Sequence, residues 1–470
     1  MGDQENEVKK VKETKERFPF GRFMAWKSRD ISLGCMVIIL GYLSLFASTF
    51  LGVPVGMVGI IMMVSKIFDA MTDLVAGYLV DNTHTKLGKA RPYEFAIIGV
   101  WISTLLLFYC PASLSLTAKC IWIFCMYSLT YSIFATLLYA AQQPYIIRAF
   151  GSREMVIKVS SFGGIVSTLG SAAVSVFFPI LMAKMVYDPS GNPLAASTWH
   201  VLVMIFAVPL CLIGLLRLIF VKEIYQPEGE EKKNEKVELK SILRMLRKNR
   251  YVWDIGVIVG MIQVVLGMSA ATYYFTFIVG DISKYSQLQA MTIIMLGLMF
   301  IFPVLMKKMS VGGLVILGSV IGLAGYIVNF FAGSSMVMLM VAFFATGFSQ
   351  LPGSYLQAPM LMEASAYNEY IGLPRMDSTS ASVMNFMSKF FNAIGAGLLG
   401  VVLQAAGFVS SNGSQAVTQP ESAIFMIRLL YSVVPAVFMI FSIIAAKHFE
   451  GLSKQMPEIT KVLEERKKEV

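Results

Sequence analysis

Asp69 and Asp73 stand four residues apart within a segment, residues 55–80, that is apolar enough to cross a bilayer. At that spacing the two side chains share one helix face, where like charges repel. An ionised carboxylate at the bilayer centre costs about 2.5 to 3.5 kcal/mol even on insertion scales. The pair therefore makes physical sense mainly when a cation or proton sits between the two acids. Lys66 lies in the same segment, and a second intramembrane lysine, Lys389, lies in residues 379–409 with Asn385, Ser388 and Asn392 at helical spacing around it. This is the chemistry of ion binding and charge exchange. No metal-ligand cluster, nucleophile motif or phosphate loop accompanies it, so an enzyme is not expected.

Depth follows from counting. The midpoint of residues 55–80 falls near position 68, which puts Asp69 at the membrane centre and Asp73 about 6 Å nearer the cytoplasm at 1.5 Å per residue. The fourth apolar segment, 119–142, is centred near Tyr131 and Ser132, whose hydroxyls share that depth. Lys389 sits about 8 Å to the cytoplasmic side of its own midpoint. A lysine so deep should face the interior and find a carboxylate, and Asp73 matches it in depth. A hard cation such as Na⁺ wants several oxygens, which Asp69, Asp73 and Ser132 offer; alternatively one carboxylate carries H⁺. The competing account is a static ion pair that only holds helices together, with Lys66 serving Asp69.

The elements that must position these groups follow from composition. Of 470 residues, 56% are hydrophobic and 14% charged, with a mean hydropathy of +0.67. Soluble domains carry about a quarter charged residues, so the expectation is an all-α polytopic membrane protein. Twelve segments of spanning length are expected, at 31–50, 55–80, 93–111, 119–142, 159–183, 199–221, 252–279, 287–306, 311–331, 335–362, 379–409 and 421–446. They divide into two six-helix bundles, 31–221 and 252–447. Around the bundles lie a cytoplasmic N-terminal segment (1–30), a charged cytoplasmic linker (222–251) and a cytoplasmic tail (448–470). Two bundles that rock about a central site are what a secondary transporter needs.

The formal charge of +10 does not call for nucleic acid. Of the 39 Lys and Arg residues, only Lys119, Lys184 and Lys284 fall in the opposite loops, and Lys66, Arg217, Lys389 and Arg428 fall within spans. The remainder lie on one side, which sets both termini in the cytoplasm of a cell-membrane protein. The N-terminus lacks the apolar core and cleavage site of a signal peptide. The five cysteines read as buried apolar residues and the three histidines as segment-end residues, with no metal site. Trp26, Trp199 and Trp253 read as interfacial anchors. Asp30 and Arg29 read as interfacial, with a place at a cavity floor as the alternative. Polar residues on otherwise apolar spans should line a solute cavity, above all Tyr131, Tyr139, Gln143, Asn385, Asn392 and Lys389, together with Tyr42, Ser44, Gln142, Gln263, Tyr273, Tyr274, Gln350, Tyr355 and Gln357.

Two stretches carry a resemblance. KIFDAMTDLVAGYLVDNTHTKLGKARPY (66–93) resembles the second helix and following loop of the glycoside-pentoside-hexuronide:cation symporters, the melibiose-carrier group of the major facilitator superfamily. Its Gly77-x-x-x-Asp81 and Gly88-Lys89-x-Arg91 are similar to the superfamily signature. Residues 361–400, with Glu363, Glu369, a Gly-x-x-Arg ending at Arg375 and the lysine at 389, resemble the helix ten to eleven region of the same family. The resemblance implies a cation site of Asp69, Asp73 and Ser132, with Lys389 as coupled base and Lys66 beside it. It also implies a cytoplasmic gating network of Gly77, Asp81, Lys89 and Arg91 facing Glu363, Glu369 and Arg375. On the sugar side the chain departs: Ala135 replaces an aspartate, Tyr139 a tryptophan and Ser161 an arginine, which leaves a different glycoside, a sugar acid or a less polar solute open.

The expected function is symport of a sugar or glycoside with Na⁺ or H⁺ by alternating access. Its partners would be a small-molecule substrate and membrane lipid; the protein would act as a monomer without a cofactor. A symporter of less polar or lipid-like solutes on the same fold, and a permease-like sensor that does not transport, are the alternatives.

Overall fold

The computed structural model describes residues 19–151, 153–188, 191–224, 239–298, 305, 308–373, 377–411 and 417–468. Among the described residues, twelve long helices form two bundles, joined by the linker helix Leu239–Lys248. The first bundle holds α1 (Phe20–Thr49), α2 (Val55–Asp81), α3 (Arg91–Phe108), α4 (Leu116–Phe150), α5 (Arg153–Met185) and α6 (Ser197–Phe220). The second holds α7 (Arg250–Phe277), α8 (Tyr285–Leu298), α9 (Val311–Ala332), α10 (Met336–Tyr370), α11 (Asp377–Ala405) and α12 (Glu421–Arg466). Ten of these, among the described residues, are long and apolar enough to cross a membrane. Outward-facing Leu212, Phe220, Phe331 and Val337 are each more than 60% exposed, a surface that a bilayer would cover.

Two faces can be distinguished. The basal face carries the start of α1, the loop 82–90 and the linker helix Leu239–Lys248, and the apical face carries the loops that follow α1, α3 and α5. The expected span boundaries shift at both ends of the chain. Helix α1 begins at Phe20 behind Pro19, and its first turns bury Trp26, Lys27 and Arg29 inside the first bundle. The last helix runs on past residue 448 and buries Leu452, Ile459 and Leu463 against the second bundle. Both extensions are amphipathic, and a hydropathy window reads such segments as polar.

The bundles meet chiefly along α2 with α11 and along α5 with α8. The α2–α11 contact is close because glycine faces glycine. A Cβ on Gly400 would lie 2.5 Å from the Val55 carbonyl oxygen and 2.9 Å from Gly59 Cα. Near the apical face Tyr273 of α7 hydrogen-bonds Ser44 at 2.9 Å and Ser48 at 3.0 Å, both on α1, and Gly56 N donates to Gln404 at 2.8 Å. Trp199 packs there with Phe46, Phe50 and Phe108 at ring separations of 5.2 to 5.6 Å.

Two expected anchors are therefore core residues. Trp26 and Trp199 are both fully buried, while Trp253 is 49% exposed. Hydropathy locates a segment end but not the direction in which an indole there points.

Candidate cation and substrate site

Lys66, Asp69 and Asp73 follow one another at helical intervals along the face of α2 that meets the second bundle. Lys389 reaches them from α11. Its ammonium lies 2.6 Å from Asp73 Oδ2 and 2.9 Å from Asp69 Oδ2. One cation thus bridges two carboxylates that would otherwise repel. Asp69 is buried, whereas the Asp73 side chain is 41% exposed and that of Lys389 32%. The pair is thus partly exposed, whereas Ser44, Ser48 and Tyr273 of the apical contact are buried.

The third oxygen donor differs from the expected one. Ser132 turns its hydroxyl to the Ser65 backbone carbonyl at 3.2 Å. Thr136, one turn further along α4, donates to Asp69 Oδ1 at 2.6 Å and lies 3.4 Å from Asp73 Oδ1. The cause is local: α4 runs on to Phe150 and carries a π-helical turn at Leu129–Ala135. An inserted π-turn shifts the helical register, a device frequent at functional sites. The Thr136 hydroxyl also lies 3.1 Å from the Tyr131 carbonyl within that turn.

Apical to the ion pair is a cavity of about 470 Å³. Lys66, Tyr131 and Asn392 line it, as do Tyr42, Gln263, Gln289, Asn329 and Gln350. Lys66 donates to Asn392 Oδ1, and Asn392 Nδ2 donates to the Gln263 carbonyl at 3.2 Å and to Gln263 Oε1 at 3.3 Å. Helix α7 breaks beside the cavity at Ser269, which takes left-handed backbone angles with φ +49°. Such a conformation costs a non-glycine residue on the order of 1 to 2 kcal/mol, and Ser269, Ala270 and Ala271 line the cavity. Tyr139, Gln143 and Asn385 are exposed on the basal side of the ion pair and are not part of this lining. Tyr139 is close enough to Arg29, Asp30, Lys389 and Asp69 to feel their charges.

A second ionic cluster lies deeper in the first bundle. Arg29 reaches Glu94 at 3.3 Å and Asp30 at 3.0 Å, and Arg217 reaches the same acids at 3.4 and 3.3 Å. Arg29, Glu94 and Arg217 are almost wholly buried, and the Arg217 guanidinium lies 3.2 Å from the Trp26 ring centroid. Lys27 also pairs with Asp30 at 2.9 Å. Asp30 is thus no interfacial residue but the edge of a buried network. Sequence reading missed Glu94 and left Arg217 without a role, because each stood alone in its own segment.

The expected gating residues sit at the basal face. Lys89 and Arg91 donate their backbone amides to Glu223 at 3.0 and 2.6 Å, and the Arg91 guanidinium donates to the Leu218 carbonyl. Glu363 accepts from Ser453 at 2.6 Å, and the Glu369 carbonyl accepts from Arg466 at 3.4 Å. Each of these bonds stays within one bundle. Gly77 lies on α2 with open space around it, while the Asp81 side chain and Arg375 lie outside the described residues. Glu223, hidden in the charged linker run, was not legible as the anchor of the signature loop.

Residues 32–449 match the model of the MFS/sugar transport protein family. The chain belongs to that family. As a whole-length relative, this transporter is 25% identical over 445 residues to the isoprimeverose transporter of Lactiplantibacillus pentosus, covering 90% of this chain and 87% of the relative. It is 22% identical over 428 residues to the glucuronide carrier protein homolog of Escherichia coli (strain K12), covering 89% of each. In fold it superposes on the crystal structure of a bacterial homolog to the human lysosomal transporter Spinster, in an inward-facing and unoccupied conformation. The TM-score is 0.66 at 14% identity, covering 94% of this chain and 98% of that one. The expected kinship with the glycoside-pentoside-hexuronide symporters and the all-helical major facilitator fold are borne out, and the transporter is a multi-pass membrane protein.

Proposed function

We propose that this protein couples the movement of a sugar or glycoside to that of Na⁺ or H⁺ by alternating access, with both termini in the cytoplasm of the cell membrane. The bridge from Lys389 to Asp69 and Asp73 carries the reading. It joins the two bundles through charges that a cation can replace. A cation at the carboxylates competes with the Lys389 ammonium, and release of that ammonium loosens the α2–α11 contact. Linkage then makes the effect reciprocal: whatever solute favours the cation-loaded state also tightens cation binding.

The cargoes for which the relatives are named, isoprimeverose and glucuronides, support a sugar or glycoside as cargo. The distribution of Lys and Arg supports the basal face as cytoplasmic. In that orientation the dry apical contacts and the exposed ion pair describe an inward-open carrier.

Proteoliposomes loaded with defined cations, screened with a panel of sugars and glycosides, test the proposal. The expected result is accumulation of one solute class driven by an inward Na⁺ or H⁺ gradient. Binding without cation-dependent flux would instead favour a sensor and overturn it.

A further inference from the structure

The cavity holds one charged side chain among its described lining residues, and that residue is Lys66. Its ammonium donates to the uncharged Asn392 amide oxygen, and among the described residues no carboxylate lies within ion-pair distance of it. Asp69, one turn away on the same helix, is already engaged by Lys389 and Thr136. A lysine at this depth ordinarily pairs with an acid. The protein keeps a cation facing its solute chamber and supplies no partner for it.

A second feature of the chamber has the same sign. The break at Ser269 leaves the half-helix Ala270–Phe277 beginning at the cavity wall, and Ser269, Ala270 and Ala271 all line it. The first N–H groups of a helix have no acceptor within it, and its amino end carries partial positive charge. Broken transmembrane helices commonly aim such ends at anionic solute groups.

We infer that Lys66 is the anion-binding group of the cavity and that the transported solute is a sugar bearing an oxyanion, a carboxylate or a sulfonate. The inference rests on the sugar-symporter reading and adds the charge of the cargo. The oxyanion takes the ammonium from Asn392 and accepts from the free amides of the half-helix. With a sugar oxyanion at Lys66, the cavity's ammonium gains a counter-charge in the loaded carrier.

Binding of methyl glucoside and methyl galactoside, each compared with its 6-carboxylate and 6-sulfonate counterpart, tests this on the purified full-length protein. An acidic member is expected to bind at least about tenfold more tightly than its neutral counterpart, the gain of one charge-assisted contact. Lys66→Met should collapse that ratio towards one and Lys66→Arg should preserve most of it. Because the ratio is measured within one protein sample, a partly folded variant still reports it. Neutral glycosides binding as tightly as acidic ones, or a ratio indifferent to Lys66→Met, would overturn the inference while leaving the sugar reading intact. If no member of either class binds, the sugar reading itself fails and takes this inference with it.

Discussion

Lys389 and Asp73 are joined across the two bundles by a 2.6 Å ion pair. The two residues belong to different bundles and are 316 positions apart in sequence. That contact and the 2.9 Å contact to Asp69 both cross from the second bundle to the first beside the cavity. Apical to it the bundles are held by hydrogen bonds and glycine contacts. On the alternating-access reading proposed above, opening and closing must break or remake the contacts of Lys389.

Asp73→Cys removes the more exposed acid and leaves Asp69 bound to Lys389 and Thr136. Cation-driven accumulation should fall by at least about tenfold while the protein inserts normally. Uphill uptake of solute into proteoliposomes measures it, with the amount of folded protein as control.

Thr136→Val deletes the hydroxyl that donates to Asp69 at 2.6 Å. Loss of that oxygen should weaken Na⁺ affinity by about tenfold or more, whereas a coupling proton would bind more tightly, because ionised Asp69 loses a donor. Ser132→Ala, whose hydroxyl faces the Ser65 carbonyl, should change either affinity far less. Cation titration of solute binding distinguishes the two variants.

Arg217→Met and Glu94→Gln each take one ion-pair partner away from the buried network, leaving Glu94 with Arg29 alone or Arg217 with Asp30 alone. Breaking a buried pair in this way costs about 3 to 5 kcal/mol. Each single variant should melt well below the parent in detergent. The double variant should lose less than the sum of the two, since both single variants remove the same Arg217–Glu94 pair.

Gly400→Val sets a side chain against the Val55 carbonyl and Gly59, backbone that cannot move aside. The apically closed state should become unfavourable and the opposite opening more populated. Ser44→Cys in that background should then react with a membrane-impermeant thiol reagent from the apical side at least about tenfold faster than in the parent.

The helices and the presence of an intramembrane charge site were legible from the chain alone, because the cost of placing a carboxylate in hydrocarbon does not depend on which neighbour it meets. Asp69, Asp73 and Lys389 announced themselves by that cost, and hydropathy set most of the spans. The identity of the third oxygen did not follow, since one π-turn in α4 brings Thr136 into the position that straight counting assigns to Ser132. Likewise Glu94, Arg217 and Asp30 are isolated charges in sequence and become one network only when α1, α3 and α6 pack together. Lys66 shows the division most sharply. Its sequence neighbour Asp69 suggests a partner one turn away, yet the packing of α11 against α2 gives that acid to Lys389 and turns Lys66 toward Asn392 and the cavity. Periodicity and hydropathy fix which residues enter the membrane; which of them meet is decided by helix register and rotation, quantities that only close packing of one helix against another can set.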